Sequence, residues 1–326
     1  MVSRMITDIA ALTVLPTAFV LDLLLGDPPR LPHPVRWMGR FIEHAEPTFR
    51  NRFANDVRAG LAFAVTMILM TWIGTVACVY CAHLVHPGLG WSIEVILVYF
   101  ALSTKSLRQA ATAVHRALKK GAVNAAKQRV AMIVGRDVEG LSRQGVIRAT
   151  VETVAENLVD GVMSPVFYAV IGGGPLAMAF KMISTLDSMV GYKTPQYINF
   201  GKASARIDDL ANYIPARFSM PVIAVAAQIL FGSGRRSWRT ALREGGQHSS
   251  PNAGRPEAAF AGALALKLGG PSSYHGTLVD KPFIGTLFGT AEPYHIPQAC
   301  ELMLLSAFLW TLGCWTCSSL YTVMAI

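Results

Sequence analysis

The chain has 326 residues, and its 29 Lys and Arg exceed its 20 Asp and Glu, so the formal net charge is +9. Hydrophobic residues make up 52% and charged residues only 15%, whereas a soluble domain has about 25% charged residues. A disordered chain and a coiled coil are excluded, because both need more charged residues. A disulfide scaffold is also excluded, because 5 Cys are too few and odd in number. The composition therefore indicates a membrane protein with polar loops or a very apolar soluble enzyme.

Charge-free segments favour the membrane protein. A helix over residues 59–82 has 24 uncharged residues and would be about 36 Å long, enough to cross a hydrocarbon core of about 30 Å. We predict an all-α, multi-pass helical membrane protein, folded as one integral-membrane domain over residues 1–326. Its spans are expected near 5–25, 59–84, 91–104 and 302–325.

Two further apolar segments, 161–180 and 218–234, are long enough to be spans or re-entrant hairpins. The first is broken by Gly172-Gly173-Gly174-Pro175, and Gly and Pro interrupt helices. Two full spans here would also separate Asp187 from the basic loops. We therefore prefer re-entrant or buried hairpins for both segments.

The basic residues indicate the orientation of the chain. Residues 105–148 contain ten Lys and Arg but only two acids, and loops rich in Lys and Arg face the cytoplasm. The polar segments 26–58, 105–160, 184–217 and 248–298 are expected to form cytoplasmic helical loops that hold the functional site. We expect an inner-membrane protein in contact with the lipid bilayer and no nucleic-acid partner, because no nucleic-acid-binding motif appears.

The first polar cluster follows the first span and contains Asp27, His33 and Arg36. Four prolines among residues 28–34 prevent a helix and stiffen the backbone. This density of acid, imidazole and guanidinium groups is consistent with a site, and equally with a rigid turn.

The second cluster places Arg148, Glu152, Glu156 and Asp160 at intervals of four residues, hence along one stripe of a helix. Three neighbouring carboxylates repel each other unless a cation joins them, and a divalent cation with oxygen ligands would serve. The alternative is a solvated acidic face with one ion pair between Arg148 and Glu152.

The third and fourth clusters combine acids, amides and arginines. Paired carboxylates beside arginine suit a phosphate bound through a metal ion, although ion pairs on a helix surface explain the same pattern. The residues are Asp187, Arg206, Asp208, Asp209, Asn212 and Arg217 in the third cluster and Asn252 in the fourth, where a helix N-terminus could receive an anion. The residues alone indicate a membrane enzyme or carrier for an anionic, phosphorylated substrate, with a divalent cation.

The motifs resemble those of the CobD/CbiB cobalamin-biosynthesis family, the adenosylcobinamide-phosphate synthases. Similar runs occur in order along nearly the whole chain, with Ser184 and Arg255 as departures from the usual pattern. The runs are residues 21–36, 134–137, 149–161 with Ser164-Pro165, 185–192, 204–209 with 215–217, and 250–254 with Pro256-Glu257.

The resemblance implies an ATP-dependent, Mg²⁺-using ligase that attaches aminopropanol or its phosphate to a carboxyl group of (adenosyl)cobyric acid. Its partners would be the corrinoid and aminopropanol substrates, with an oligomer left open. Together with the residue chemistry it suggests three sets of site residues. The catalytic set is Asp27, His33, Glu152, Glu156 and Asp187. The substrate- or phosphate-binding set is Arg36, Arg136, Asn157, Arg206, Asn212, Arg217 and Asn252, and the metal set is Asp160, Asp208 and Asp209.

The main alternative is a membrane transporter or carrier of an anionic metabolite. A transporter predicts charges within the membrane and internal repeats, whereas most charged motifs here lie outside the apolar runs. Whether the amine is phosphorylated and whether the corrinoid carries an adenosyl group stay open.

Overall fold

The computed structural model describes residues 2–28, 33–192, 194–248, 250–274 and 276–325. Their contacts divide the chain into two compact units, each assembled from separate stretches of sequence. Unit 1 comprises Met1–Ser103, Ser164–Asn212 and Thr311–Ile326, and unit 2 comprises Thr104–Met163 and Tyr213–Trp310. The chain passes from one unit to the other four times. The single integral-membrane domain over residues 1–326 stays a prediction.

The described residues are mainly helical, which confirms the predicted fold class. The helices are α1 (Val2–Leu25), α2 (Pro34–Arg52), α3 (Asp56–Val85), α4 (Pro87–Ala101), α5 (Thr104–Lys119), α6 (Val123–Ala131), α7 (Arg143–Leu158), α8 (Ser164–Val190), α9 (Lys202–Ala211), α10 (Tyr213–Phe231), α11 (Gly234–Glu244), α12 (Gly254–Leu264) and α13 (His295–Ala325). A π-helical turn, Val159–Met163, joins α7 to α8.

Five helical segments among the described residues are long and apolar enough to cross a membrane. They are Asp56–Val85, Pro87–Lys119, Arg143–Val190, Tyr213–Phe231 and His295–Met324, and Leu12–Leu25 is a shorter apolar helix. Helix α3 covers the predicted span 59–84, and its outer surface exposes large apolar side chains such as Leu69, Ile73 and Leu84. Such exposure suits contact with lipid.

Short polar caps set where the helices of unit 1 begin. The Asn55 side chain accepts hydrogen bonds from the backbone N–H groups of Val57 and Arg58, at 2.9 and 3.1 Å. His86 caps α4 in the same way, and Pro87 follows at the first helical position, where a missing N–H costs nothing. A core cluster that includes Phe63, Phe200 and Leu186 packs α3 against α8 and α9.

Helix α8 is interrupted at the predicted glycine-rich position. Gly172 and Gly173 leave helical geometry, and Gly173 has a φ of 66°, which favours glycine. The backbone N–H of Gly174, which begins the second half, donates to Oε2 of Glu94 at 2.6 Å. The α4 carboxylate therefore caps the N-terminus of that half-helix. Helix α10, in contrast, is continuous through most of 218–234, and the chain turns after Phe231, at Gly232 and Ser233.

Unit 2 also contains four short strands that the all-α expectation omits. Strand β1 (Leu268–Gly269) pairs antiparallel with β4 (Phe283–Ile284). Strand β2 (Ser272–Tyr274) pairs with β3 (Thr277–Val279), with Ser273 opposite Leu278. The β1–β4 sheet packs against α12, which is buried along nearly its whole length. Segments this short have no recognisable period in the sequence.

Candidate functional site

Charged side chains of unit 2 gather around the buried face of α7. Glu152 and Glu156 come from α7, Glu257 from the first turn of α12, Arg136 from the loop before α7, and Lys281 from the segment between β3 and β4. We call these five residues the charged cluster. Tertiary folding brings together residues up to 145 positions apart (281 − 136 = 145).

Glu152 is the most extensively bonded carboxylate of the charged cluster. Arg136 Nη2 donates to Glu152 Oε2, and the backbone N–H of Gly269 donates to Oε1 at 2.6 Å. The Nε atom of Arg148 lies 3.8 Å from the same Oε1. Only 6% of Glu152 is exposed, so the solvated acidic face considered from the spacing is wrong at this position. Both oxygens of the Glu152 carboxylate are therefore engaged by donors of the protein.

Arg136 bonds to both helix α7 and the β2–β3 hairpin. Its Nη1 donates to Ser272 Oγ at 2.9 Å. Burial opposes its charge, but the attraction of Glu152 outweighs burial and raises the pKa of Arg136. The neighbouring Asp137 accepts from Ser273 Oγ at 2.6 Å and from the Gly276 N–H at 2.8 Å. The loop before α7 is thereby bound to the β2–β3 hairpin.

Glu257 is the second fully enclosed acid of the charged cluster, with 5% exposed. Burial first, and then the negative charges of Glu152 and Glu156, raise the pKa of Glu257 well above its usual value, while Lys281 and Arg136 oppose the rise. Hydrogen bonds from described residues engage both oxygens of Glu152, and none engages those of Glu156 or Glu257. These two carboxylates are the acceptors still available for a ligand.

A histidine and a tyrosine border the charged cluster. Lys281 Nζ donates to the Tyr274 hydroxyl at 2.5 Å. The ring of His248 accepts from the Ser250 N–H at 3.0 Å through Nδ1. Burial, followed by the charge of Lys281, lowers the pKa of His248, so the imidazole is neutral at physiological pH.

Two more predicted residues meet elsewhere in unit 2. Arg217 Nη1 donates to Asn252 Oδ1 at 3.3 Å and to the carbonyl of Tyr213 at 2.8 Å. Its guanidinium stacks 3.2 Å from the centre of the Tyr213 ring. Asn157 donates to the Thr153 carbonyl at 3.0 Å, and Asp160 lies in the π-helical turn.

In unit 1 the structure pairs Asp27 with His33. The His33 Nε2 atom lies 3.0 Å from Asp27 Oδ1, and its Nδ1 accepts from the Val35 N–H at 3.3 Å. The Nδ1 acceptor role assigns the proton to Nε2, which then donates to Asp27. Residues 29–32 of the proline-rich run lie outside the described residues. Their rigid turn stays a prediction, as does a catalytic role for the pair.

Asn212 joins two helices of unit 1. Its Oδ1 accepts from Ser164 Oγ at 2.6 Å and its Nδ2 donates to Asp208 Oδ2 at 3.0 Å. Only 1% of Asn212 is exposed, so both of these bonds are sheltered from water. The other predicted residues of this unit are Asp187 on α8, Arg206 and Asp209 on α9, and Arg36 on α2.

A metal site built from Asp160, Asp208 and Asp209 stays a prediction. Within the described ranges, no group of three or more His, Cys, Asp or Glu side chains could hold a metal ion. Of the predicted ligands, Asp160 belongs to unit 2, while Asp208 and Asp209 belong to unit 1. Mg²⁺ often uses one or two carboxylates together with substrate phosphates, so a smaller protein ligand set is chemically sufficient.

Sequence reasoning missed several members of the site. Glu257 belongs to the Pro256-Glu257 motif, and that motif is the signal in the sequence that could have identified it. Lys281, Tyr274 and His248 lie in irregular segments with no spacing that links them to α7. Their contribution depends on how the β2–β3 hairpin packs.

Fold and site together define a class: a multi-pass helical membrane protein with a buried, charge-paired cluster. Comparison with known proteins makes the assignment specific. The family model described as CobD/CbiB protein matches residues 15–303. The chain belongs to the CobD/CbiB family.

Curated relatives cover most of the chain. The cobalamin biosynthesis protein CobD of Photorhabdus laumondii is 43% identical over 296 residues, which is 90% of this chain and 92% of the relative. The CobD protein of Klebsiella pneumoniae has the same identity and coverage. The cobalamin biosynthesis protein CbiB of Salmonella typhimurium is 44% identical over 295 residues, again 90% of this chain and 92% of the relative. No solved structure matches the chain.

Proposed function

We propose that this protein acts in cobalamin biosynthesis as an enzyme that joins aminopropanol or aminopropanol phosphate to a carboxyl group of (adenosyl)cobyric acid. The bond formed is an amide, and the product is (adenosyl)cobinamide or its phosphate. Family membership supports the pathway. The charged cluster of unit 2 is the observation that carries the reaction, because it offers bases for an amine and cations for an anionic substrate.

The amine must lose a proton to become a nucleophile. Aminopropanol is an ammonium ion in neutral water, so the acceptors of Glu156 and Glu257 attract it. The raised pKa of Glu257 makes its carboxylate a stronger base than an ordinary glutamate. The ammonium first gives one proton to Glu156, which leaves a neutral amine with a free electron pair. As that nitrogen bonds to the activated carboxyl carbon, a second proton passes to a Glu257 oxygen and the bond from that carbon to the leaving oxygen breaks.

The positive residues position the anionic groups. Lys281 is partly exposed and is tethered to Tyr274 through its ammonium, which leaves further N–H donors for a substrate oxygen. Arg136 is already paired with Glu152, so its main role is to keep Glu152 charged and in place. We assign Lys281 to substrate binding and Arg136 to positioning.

ATP and Mg²⁺ fit the residues present. When bound, they would supply the phosphoryl group that activates the carboxyl and the cation that screens its charge. Glu156 and Glu257 are the carboxylates of the charged cluster whose oxygens are not taken by described donors, and one of them could hold the cation with substrate phosphates. Asp160, Asp208 and Asp209 remain the ligands proposed from the sequence.

The basic loops support a site on the cytoplasmic face of the inner membrane. ATP and the corrinoid substrate would reach it there. Asp27, His33 and Asp187 keep proposed roles in orienting substrate or moving protons, and the Asp27–His33 pair at 3.0 Å has the geometry for proton transfer.

One assay tests the function. Membranes containing the protein are given cobyric acid, aminopropanol phosphate, ATP and Mg²⁺, and the corrinoid products are separated and identified by mass. We expect an amide product that disappears when any one of these four components is omitted. No product, in a preparation where a cobyric acid-consuming control ligase is active, would refute the proposal.

A further inference from the structure

We infer that the first turns of α11 bind the phosphate of an anionic phospholipid. Arg235, Arg236 and Arg239 line a polar cavity of about 370 Å³ beside Gly232, Ser233 and Thr240. Helix α11 carries four arginines and one glutamate. The cavity shares no residue with the charged cluster, and the inference does not depend on the proposed reaction.

The arginines differ in how they are held. Arg236 donates through Nε to the Gly262 carbonyl and through Nη2 to the Ala263 carbonyl, so it is fixed on α12. Arg235 and Arg239 are exposed, and no carboxylate of the described residues forms an ion pair with either. Glu244, the acid of α11, instead accepts from the Gly285 N–H at 2.7 Å. The cavity therefore has uncompensated positive charge, which suits phosphate oxygens.

The position of the cavity points to a lipid rather than a soluble phosphate. Helix α10 ends at Phe231, which itself lines the cavity. Ile214, Phe218, Val225 and Ile229 form an exposed apolar stripe along α10, with between 48% and 62% of each residue exposed. A phospholipid could lay its acyl chains on this stripe and place its headgroup among the arginines where the helix ends.

The sequence of α11 itself has the pattern of a helix at the membrane interface. Small residues, Gly234, Ser237 and Ala241, are buried, and Gly262 of α12 approaches closely enough that a Cβ there would lie 2.8 Å from the Ser237 Cα. Trp238 and Leu242, one turn apart, are exposed beside the face that carries the arginines. Trp, Leu and Arg together on an exposed helical face favour the headgroup region.

The test is a lipid titration of the full-length protein in detergent, read by native mass spectrometry. Phosphatidylglycerol is compared with phosphatidylethanolamine, and inorganic phosphate serves as the soluble competitor. Arg235→Ala/Arg239→Ala removes the two unpaired cations. Arg235→Ala and Arg239→Ala are also made singly. Arg243→Ala, which removes one charge from the same helix outside the cavity, is their control of equal charge.

We expect the double variant to bind phosphatidylglycerol about 25-fold more weakly, which is about fivefold for each arginine. Arg235→Lys/Arg239→Lys should retain most of the affinity, and Arg243→Ala should bind like the wild type. The thermal unfolding midpoint of each variant is measured as well, to establish that the variant is folded. A loss in Arg243→Ala equal to that in either single variant, unchanged binding in the double variant, or equal competition by inorganic phosphate would overturn the inference.

Discussion

Replacing Glu152 by glutamine should lower the free energy of unfolding more than the removal of an exposed charge does. The wild-type carboxylate receives Arg136 and the Gly269 N–H on its two oxygens. A glutamine amide has one oxygen and one NH₂ group, so it can accept from one of these donors and must present a donor to the other. Arg136 is then left buried without the carboxylate that accepts its hydrogen bond.

The size of the effect follows from burial. The side chains of Arg136 and Glu152 are only 10% and 8% exposed, and removing one partner of a buried pair costs about 3–5 kcal/mol. A half-exposed pair provides the comparison. Asp56 Oδ2 lies 3.7 Å from Arg50 Nη1 with the Asp56 side chain 51% exposed, so Asp56→Asn should cost about 1 kcal/mol or less.

The assay is SDS-induced unfolding of the purified protein, followed by intrinsic fluorescence. Arg136→Met is combined with Glu152→Gln to complete a double-mutant cycle. The double variant should be more stable than the sum of the single effects predicts, with a coupling energy of up to about 3 kcal/mol. Equal losses for Glu152→Gln and Asp56→Asn, or additive losses across the cycle, would refute the reasoning.

Three other substitutions test separate parts of the structure. Glu257→Gln should flatten the pH dependence of stability. The folded wild type keeps the carboxyl proton of Glu257 to higher pH than the unfolded chain does, so its unfolding free energy falls as pH rises from about 4.3 to the raised pKa of Glu257. A variant that keeps the wild-type pH profile would contradict this expectation. Gly173→Ala should lower the free energy of unfolding by more than about 1 kcal/mol, because φ is 66° and the new Cβ would lie 2.9 Å from Glu94 Oε2. Gly74→Ala, whose new Cβ would have nothing within 4 Å, should be neutral or stabilising in the same thermal unfolding experiment. Asn212→Ala should cost about 1–3 kcal/mol, since it removes partners from Ser164 and Asp208; an unchanged unfolding midpoint would show that these bonds contribute nothing.

Local patterns in the sequence were enough to place several parts of the fold. The charge-free run at 59–82 became α3, and the glycines at 172–173 interrupt α8 where the break was expected. The four-residue spacing also placed Arg148 beside Glu152, at 3.8 Å. Helical periodicity and backbone preference act over a few residues, so one segment carries enough information for them.

Long-range partners were not predictable in this way. Arg136 reaches Glu152 across 16 positions, and Ser272 then fixes Arg136 from 136 positions away. Glu257 and Lys281 join the cluster because α12 and the short strands pack near α7. Such contacts depend on tertiary packing, and strands of two or three residues leave no periodic signal.

The central claim, that the charged cluster of unit 2 carries out amide formation, is tested most directly by the turnover rate of Glu257→Gln. The purified variant is assayed for corrinoid amide product with saturating cobyric acid, aminopropanol phosphate, ATP and Mg²⁺, after thermal unfolding has shown it to be folded. A lost general base predicts a kcat lower by about 10²–10⁴-fold. A folded variant with wild-type kcat would contradict the account and move the chemistry away from this cluster.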